Sequence, residues 1–169
     1  MSQSVKMLRA GVVTVSDRSA SGSRKDASGP ELVSLLQSHG ISVVWTAVVP
    51  DEEIEIRKVL TLWADDYRAD LILTTGGTGL SPRDVTPEAT TAVLDRIIPG
   101  MGEAMRAASL AKTPHAMISR AVAGVRGQTL IVNLPGSPKG ALENLQVVLP
   151  ALEHAISKIQ GDPSECAQH

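Results

Sequence analysis

The sequence predicts a three-layer α/β/α sandwich, a mostly parallel sheet with helices on both faces. Short runs of small and β-branched apolar residues, at 8–15, 41–49 and 71–75, alternate with stretches whose leucines and isoleucines recur at helical spacing. Two glycine-bearing loops each follow such a run and precede a helix, which is the layout of βα turns in a parallel sheet. No internal repeat or linker interrupts the 169 residues, so one domain over 1–169 is expected, with loose tails at about 1–5 and 162–169.

In order, the strand at 8–15 delivers Ser16-Asp17-Arg18 and a Ser/Gly-rich loop to Gly29. Ser28-Gly29-Pro30-Glu31 fits a capping box, with serine at the cap and glutamate three residues on. Leu32, Leu35 and Leu36 then give helical spacing, and Gly40 the stop. The second strand, 41–49, is ended by Pro50-Asp51, after which Ile56, Val59, Leu60 and Trp63 share one helix face. The third strand, 71–75, opens onto Gly76-Gly77-Thr78-Gly79. Thr86-Pro87 reads as an N-cap and first helical residue of a helix over 87–97. Met101, Met105 and Ala108 mark a further helix before Thr113-Pro114, and strands at 122–125 and 129–134 flank the turn Arg126-Gly127. A second loop, Asn133-Leu134-Pro135-Gly136-Ser137-Pro138-Lys139-Gly140, leads into a long helix carrying Leu142, Leu145, Val148, Leu149, Leu152 and Ile156. Pro150 is expected to kink or divide that helix.

Composition narrows the function. Hydrophobic residues make up 43%, charged residues 20%, and the formal net charge is -2. This balance, without a basic stripe interleaved with aromatics, gives no reason to expect a nucleic-acid partner. Trp45, Trp63 and Tyr67 are the whole aromatic complement, so the core must be aliphatic and no base-stacking platform exists. Cys166 stands alone and builds neither a disulfide framework nor a Cys-based metal site. No apolar run approaches the ~18 residues of a membrane span, and residues 1–6 lack a charged-then-apolar signal pattern. The expectation is a cytoplasmic protein with no membrane partner.

The chemistry concentrates at the two loops. Gly76-Gly77-Thr78-Gly79 after a strand frees backbone N–H groups for phosphate, although it is neither a P-loop nor a Rossmann fingerprint, and a tight strand-to-helix turn would use the same residues. Pro135-Gly136-Ser137-Pro138-Lys139 reads equally as a stiffened turn or as the second wall of a crevice. Asp84 beside Arg83 suits a hard cation lying between carboxylate and phosphate, or a turn aspartate bonding its own backbone. Asp51, on the same expected sheet edge, is a second metal-holding candidate and also a good N-cap; Asp17 carries the same ambiguity. Ser119-Arg120 could contact an anionic ligand or decorate an edge strand. His39, His115, His154 and His169 are scattered without metal-ligand spacing, and no nucleophile–base arrangement is present. The pattern favours electrostatic phosphate chemistry with a metal over covalent catalysis.

Thr75-Gly76-Gly77-Thr78-Gly79 followed by Pro82-Arg83-Asp84-Val85-Thr86-Pro87-Glu88-Ala89-Thr90 resembles the signature of the molybdenum-cofactor biosynthesis proteins of the Mog/MoaB type. The likeness extends to Thr14-Val15-Ser16-Asp17, Val49-Pro50-Asp51-Glu52, Ile118-Ser119-Arg120 and Asn133-Leu134-Pro135-Gly136-Ser137-Pro138, and so covers nearly the whole chain. It is similar, too, to the amino-terminal domain of gephyrin and its plant counterpart. The resemblance implies a MogA/MoaB-like fold and molybdopterin adenylyltransferase activity, in which Mg-ATP and molybdopterin give adenylyl-molybdopterin and pyrophosphate. It implies Asp51 and Asp84 as the catalytic, Mg²⁺-holding carboxylates. It implies Thr75, Gly76, Gly77, Thr78, Gly79, Pro135, Gly136 and Ser137 around the nucleotide, and Ser16, Asp17, Ser119 and Arg120 around the pterin. A homotrimer, with hexamers in some MoaB-type members, and hand-over to a molybdate-inserting enzyme are implied as well. Leu80-Ser81 departs from relatives that carry an aromatic or Pro-Ala there, which bears on nucleotide packing.

Two rivals stay open at this point. A non-catalytic pterin-binding or scaffolding paralogue would share the fold without the chemistry; a generic nucleotide-binding regulatory domain would bind ATP and no pterin. Both Asp51 and Asp84 argue against the first, because pure phosphate binding gains nothing from two facing anions.

Overall fold

The computed structural model describes residues 6–164, so the residues at 1–5 and 165–169, Cys166 among them, lie outside the described part. Six strands form one sheet in the order β2-β1-β3-β6-β5-β4. They are β1 (Arg9–Val15), β2 (Ser42–Val49), β3 (Leu71–Thr75), β4 (Arg96–Ile97), β5 (Ala123–Arg126) and β6 (Thr129–Leu134). The first, second, third and sixth run parallel; β5 and β4 add antiparallel at one edge. The helices are α1 (Asp17–Ala20), α2 (Ser28–Ser38), α3 (Glu53–Thr61), α4 (Thr86–Val93), α5 (Pro99–Leu110) and α6 (Pro138–Ile159), with a π-helical turn at Leu62–Asp66 after α3 and a 3₁₀ turn at Pro114–Ile118.

Alternation along each central strand builds the two faces. Ala10 and Val12 of β1, Leu71 and Leu73 of β3, and Leu130 and Val132 of β6 pack with Leu32, Leu36, Met105, Leu145 and Ile156 from α2, α5 and α6. Val13, Ile72 and Ile131 point the other way, onto Ile56, Leu60, Trp63, Ala89 and Val93. Because both faces are covered, the strands read as continuous apolar runs rather than alternating ones. Gly11 is required by packing: a Cβ there would lie 2.5 Å from the Trp63 ring.

Several local expectations are corrected. Ser28 is not a cap; it is the first helical residue of α2, and the Asp26 carboxylate accepts the Gly29 N–H (3.1 Å) and the Thr14 hydroxyl (2.7 Å). Asp51 does not cap α3 either, since Glu52 holds the N-cap position and no side chain caps that helix. Thr86 lies inside α4, and its hydroxyl donates to the Gly76 carbonyl (2.9 Å). The helix expected over 87–97 ends at Val93. Arg126, paired with Asp65, donates to the Val93 carbonyl (2.8 Å), and the chain then turns extended so that Asp95 and Ile98 pair with β5. That two-residue strand occupies the sheet edge, so Ser119 and Arg120 are not edge-strand residues. Pro150 does not divide α6, which runs unbroken for 22 residues.

At the edge of the sheet away from the strand C-termini, buried Asp70 ties three segments together. Its carboxylate accepts from the Arg9 N–H (2.8 Å), Lys6 Nζ (3.1 Å) and Gln160 Nε2 (2.5 Å) at the end of α6. Burial pushes this carboxyl upward, but those donors outweigh it and hold the group below its ordinary range. Its stabilising contribution is therefore present above the ordinary range and is lost as pH falls through the depressed value. Asp70→Asn should lower the urea midpoint at pH 7, and the gap to the unaltered protein should close as pH is brought below about 4.

Candidate functional site

The C-terminal ends of β1, β2, β3 and β6 meet along one sheet edge, and the loops leaving them enclose a cleft of about 740 Å³. This is where open parallel sheets present ligand sites. Of the residues singled out from the sequence, Ser16, Asp17, Asp51, Thr75, Gly76, Gly77, Asp84, Gly136 and Ser137 line it. Thr78, Gly79, Pro135, Ser119 and Arg120 do not; they stand behind the lining or at its margin.

The two glycine-bearing loops are bonded to each other. Thr75 Oγ1 donates to the Pro135 carbonyl (2.6 Å), and the Gly76 N–H donates to the Leu134 carbonyl (3.1 Å). Gly76 has φ +104°, and a Cβ there would lie 2.2 Å from the Val15 carbonyl oxygen; only glycine fits between these strand ends. Beyond it, the Gly77 and Gly136 N–H groups have no protein acceptor among the described residues. Gly136, Ser137 and Pro138 bring the N-terminus of the long α6 to the cleft, where Ser137 Oγ caps by accepting the Gly140 N–H (3.1 Å). Free amides and a helix N-terminus together form an anion-receiving wall.

The opposite wall is acidic. The Asp17 N–H donates to Asp51 Oδ2 (2.8 Å), and the Asp51 N–H donates back to Asp17 Oδ1 (2.9 Å). Arg83 grips Asp17 with two nitrogens (2.9 and 3.0 Å) and reaches Glu52 Oε1 (3.0 Å). That pairing holds the Asp17 carboxyl below its usual range and raises the Arg83 guanidinium above its own. Asp51 differs: burial, together with the charges of Asp17 and Asp84, pushes its carboxyl up despite the bond from Asp17 N–H. Asp84 closes a tight turn, its Oδ2 accepting the Ser81 N–H (3.0 Å). Both readings of this aspartate are therefore compatible, since Oδ1 of Asp84 and Oδ1 of Asp51 keep no protein partner among the described residues.

Such a donor set suits a hard divalent cation. Two carboxylates, one of them pushed up by burial and its acidic neighbours, face free backbone amides, and Mg²⁺ is usually held by one or two carboxylates plus substrate phosphates. Among the described residues no group of three or more His, Cys, Asp or Glu gathers as a metal cage, so substrate oxygens would complete the coordination.

Arg18, Arg24, Lys25 and Arg83 also border the cleft. Arg18 lies in α1, and Arg24 and Lys25 in the Ser/Gly-rich loop that follows it. The signal for the last two was the Arg24-Lys25 pair in a small-residue loop between the first strand and the helix beginning at Ser28.

Fold and cleft together define an α/β protein whose paired carboxylates face free backbone amides at the C-terminal sheet edge. A protein-family model described as "Probable molybdopterin binding domain" matches residues 11–154, and the chain belongs to that family, the molybdenum-cofactor biosynthesis proteins of the Mog/MoaB type. It is 40% identical over 160 residues to the molybdopterin adenylyltransferase of Helicobacter pylori, covering 94% of this chain and 91% of that one. It is 49% identical over 163 residues to gephyrin of Dictyostelium discoideum, covering 90% of this chain while spanning 23% of gephyrin's length. Among solved structures, the molybdopterin biosynthesis enzyme MoaB of Thermus thermophilus superposes with a TM-score of 0.88 at 55% identity, over 93% of this chain and 99% of that one.

Gly77 has φ +68°, and a Cβ there would lie 2.3 Å from Thr86 Oγ1 and 3.2 Å from Asp51 Oδ1. Gly77→Ala should therefore cost about 1–3 kcal/mol of stability, measured by equilibrium urea unfolding.

Proposed function

We propose that the chain is a molybdopterin adenylyltransferase, joining the terminal phosphate of molybdopterin to the AMP moiety of ATP with release of pyrophosphate. The observation that carries this reading is the convergence of Asp51 and Asp84 on the same cleft as the free amides of Gly77 and Gly136. A binding site for phosphate alone would not set two carboxylates against its ligand. The names of the H. pylori and T. thermophilus relatives support it.

No side-chain nucleophile is needed. A phosphate monoester has its second pKa near about 6, so the pterin phosphate is already substantially ionised at neutral pH and can attack the α-phosphorus of ATP without a general base. The barrier is the approach of two anions and the charge gathering on departing pyrophosphate. Gly77, Gly136 and the α6 N-terminus donate N–H groups to phosphate oxygens without having to reorganise. Arg18, Arg24 and Lys25 add positive charge at the rim. Asp51 and Asp84 would hold Mg²⁺, which would supply positive charge against the phosphates. Asp17 and Arg83 keep Asp51 in place through the bonds already described.

The same reading includes a homotrimer or hexamer, hand-over of product to a molybdate-inserting enzyme, and a cytoplasmic setting. Exposed Leu110, Met117 and Ile118, on α5 and the 3₁₀ turn, support a partner surface. Among the described residues no helix is long and apolar enough to cross a membrane. Light scattering of the purified protein measures the assembly.

The deciding experiment mixes purified protein with molybdopterin, ATP and Mg²⁺, and measures pyrophosphate and adenylyl-pterin against a metal-free control. Metal-dependent product is expected. Tight pterin binding without pyrophosphate would mark a non-catalytic paralogue, and ATP binding without pterin affinity a nucleotide-binding regulatory domain. Asp84→Asn should reduce turnover at least about 10²-fold while pterin binding, followed by fluorescence, survives; loss of pterin binding together with folding would remove Asp84 from this role.

A further inference from the structure

Arg120 lies off the cleft and yet bonds the backbone of the loop that carries Asp84 into it. Arg120 Nε donates to the Gly79 carbonyl (2.8 Å) and Nη2 to the Asp84 carbonyl (2.7 Å), while Nη1 pairs with the Glu88 carboxylate in the first turn of α4. The Arg120 N–H in turn donates to the Thr78 carbonyl (2.9 Å). One residue thus holds both ends of the 79–84 loop and anchors it to the helix that follows. The backbone on either side of Arg120 is itself fixed, because Arg106 of α5 donates to the Ala121 carbonyl (2.9 Å) and the Ser119 carbonyl (3.4 Å).

The rest of that loop is held through Arg83, whose guanidinium bonds Asp17 and Glu52 on the neighbouring strand ends. Arg83 and Leu80 are exposed, and the internal bonds of the turn join only Ser81 to Asp84. The position of Asp84 relative to Asp51 is therefore held from two sides, by Arg83 through Asp17 and by the planar fork of Arg120 behind the loop, whose three nitrogens all hold protein oxygens.

We infer that Arg120 is a positioning residue: its guanidinium, outside the cleft, clamps the Gly79 and Asp84 carbonyls and sets the Asp84 carboxylate opposite Asp51, rather than touching pterin or nucleotide. The kinetic consequence rests on the adenylyltransferase reading; the structural one does not. A misplacement of about 1 Å in a reacting constellation can cost about 10²-fold in rate.

Arg120→Ala and Arg120→Lys separate the possibilities, each compared with the unaltered protein by steady-state kinetics and by hydrogen exchange of the 78–84 amides. Lysine keeps the charge but places one ammonium where the fork spans three acceptors. The expected result is a kcat lower by about 10²-fold in both variants with the KM for molybdopterin unchanged. Faster exchange confined to 78–84 and its α4 anchor should accompany it. A raised molybdopterin KM with kcat retained would show Arg120 to be a ligand contact and overturn the inference. Full recovery of kcat in Arg120→Lys would do the same, since charge rather than the fork would then be what matters. If Arg120→Ala does not fold, Arg120→Lys carries both measurements. If the unaltered protein makes no pyrophosphate, the proposed activity fails, and exchange alone decides: faster exchange at 78–84 upholds the clamp, unchanged exchange refutes it.

Discussion

Two aspartates that each accept the other's amide hydrogen set the geometry of this cleft. Asp17 and Asp51 leave adjacent parallel strands, and their mutual bonds of 2.8 and 2.9 Å fix the ends of β1 and β2 at one spacing. Like charges so close would repel, and the arrangement holds because each carboxylate meets an N–H dipole and Arg83 takes the Asp17 side. The residual cost falls on Asp51, whose carboxyl is pushed upward by burial and by its acidic neighbours. On the proposed function, that electrostatic load is what a bound cation would relieve.

The packing of the sheet explains why the load can be sustained. Central strands that are apolar on both faces put their side chains into two aliphatic layers, leaving only the strand ends to carry polar chemistry. The polar groups that are buried among them are satisfied: Asn133 donates to the Thr74 and Thr90 hydroxyls at 2.9 Å each and accepts the Val122 N–H at 3.2 Å. This network lies directly beneath the two glycine-bearing loops and gives them a rigid floor.

Much of this was legible in the sequence, and the boundary of what was legible is physical. Strands and loops announced themselves because burial on both faces leaves continuous apolar runs, broken where glycine and proline must turn the chain. Caps did not. Ser28 matched a pattern, while the bond was made by Asp26 two residues earlier, because the Thr14 hydroxyl on β1 also engages that carboxylate. The end of α4 depended on Arg126, which is distant in sequence, and the fixing of Asp51 depended on Asp17, 34 residues before it. Asp84 could be placed in the right loop, but the support behind it is visible only in three dimensions, since Arg120 follows it by 36 residues.

The contact between the glycine loops has a consequence for how such a cleft can change. A Cβ on Gly136 would lie 3.2 Å from the Gly76 Cα, and Thr75 bonds the same segment at Pro135. Neither loop can be lengthened, shortened or given a side chain at the contact without moving the other. New ligand preferences in this scaffold are therefore freer to arise elsewhere on the rim, as in the β1–α2 connection where Arg18, Arg24 and Lys25 stand, and any transplant of the glycine wall into another sheet must carry both glycines together.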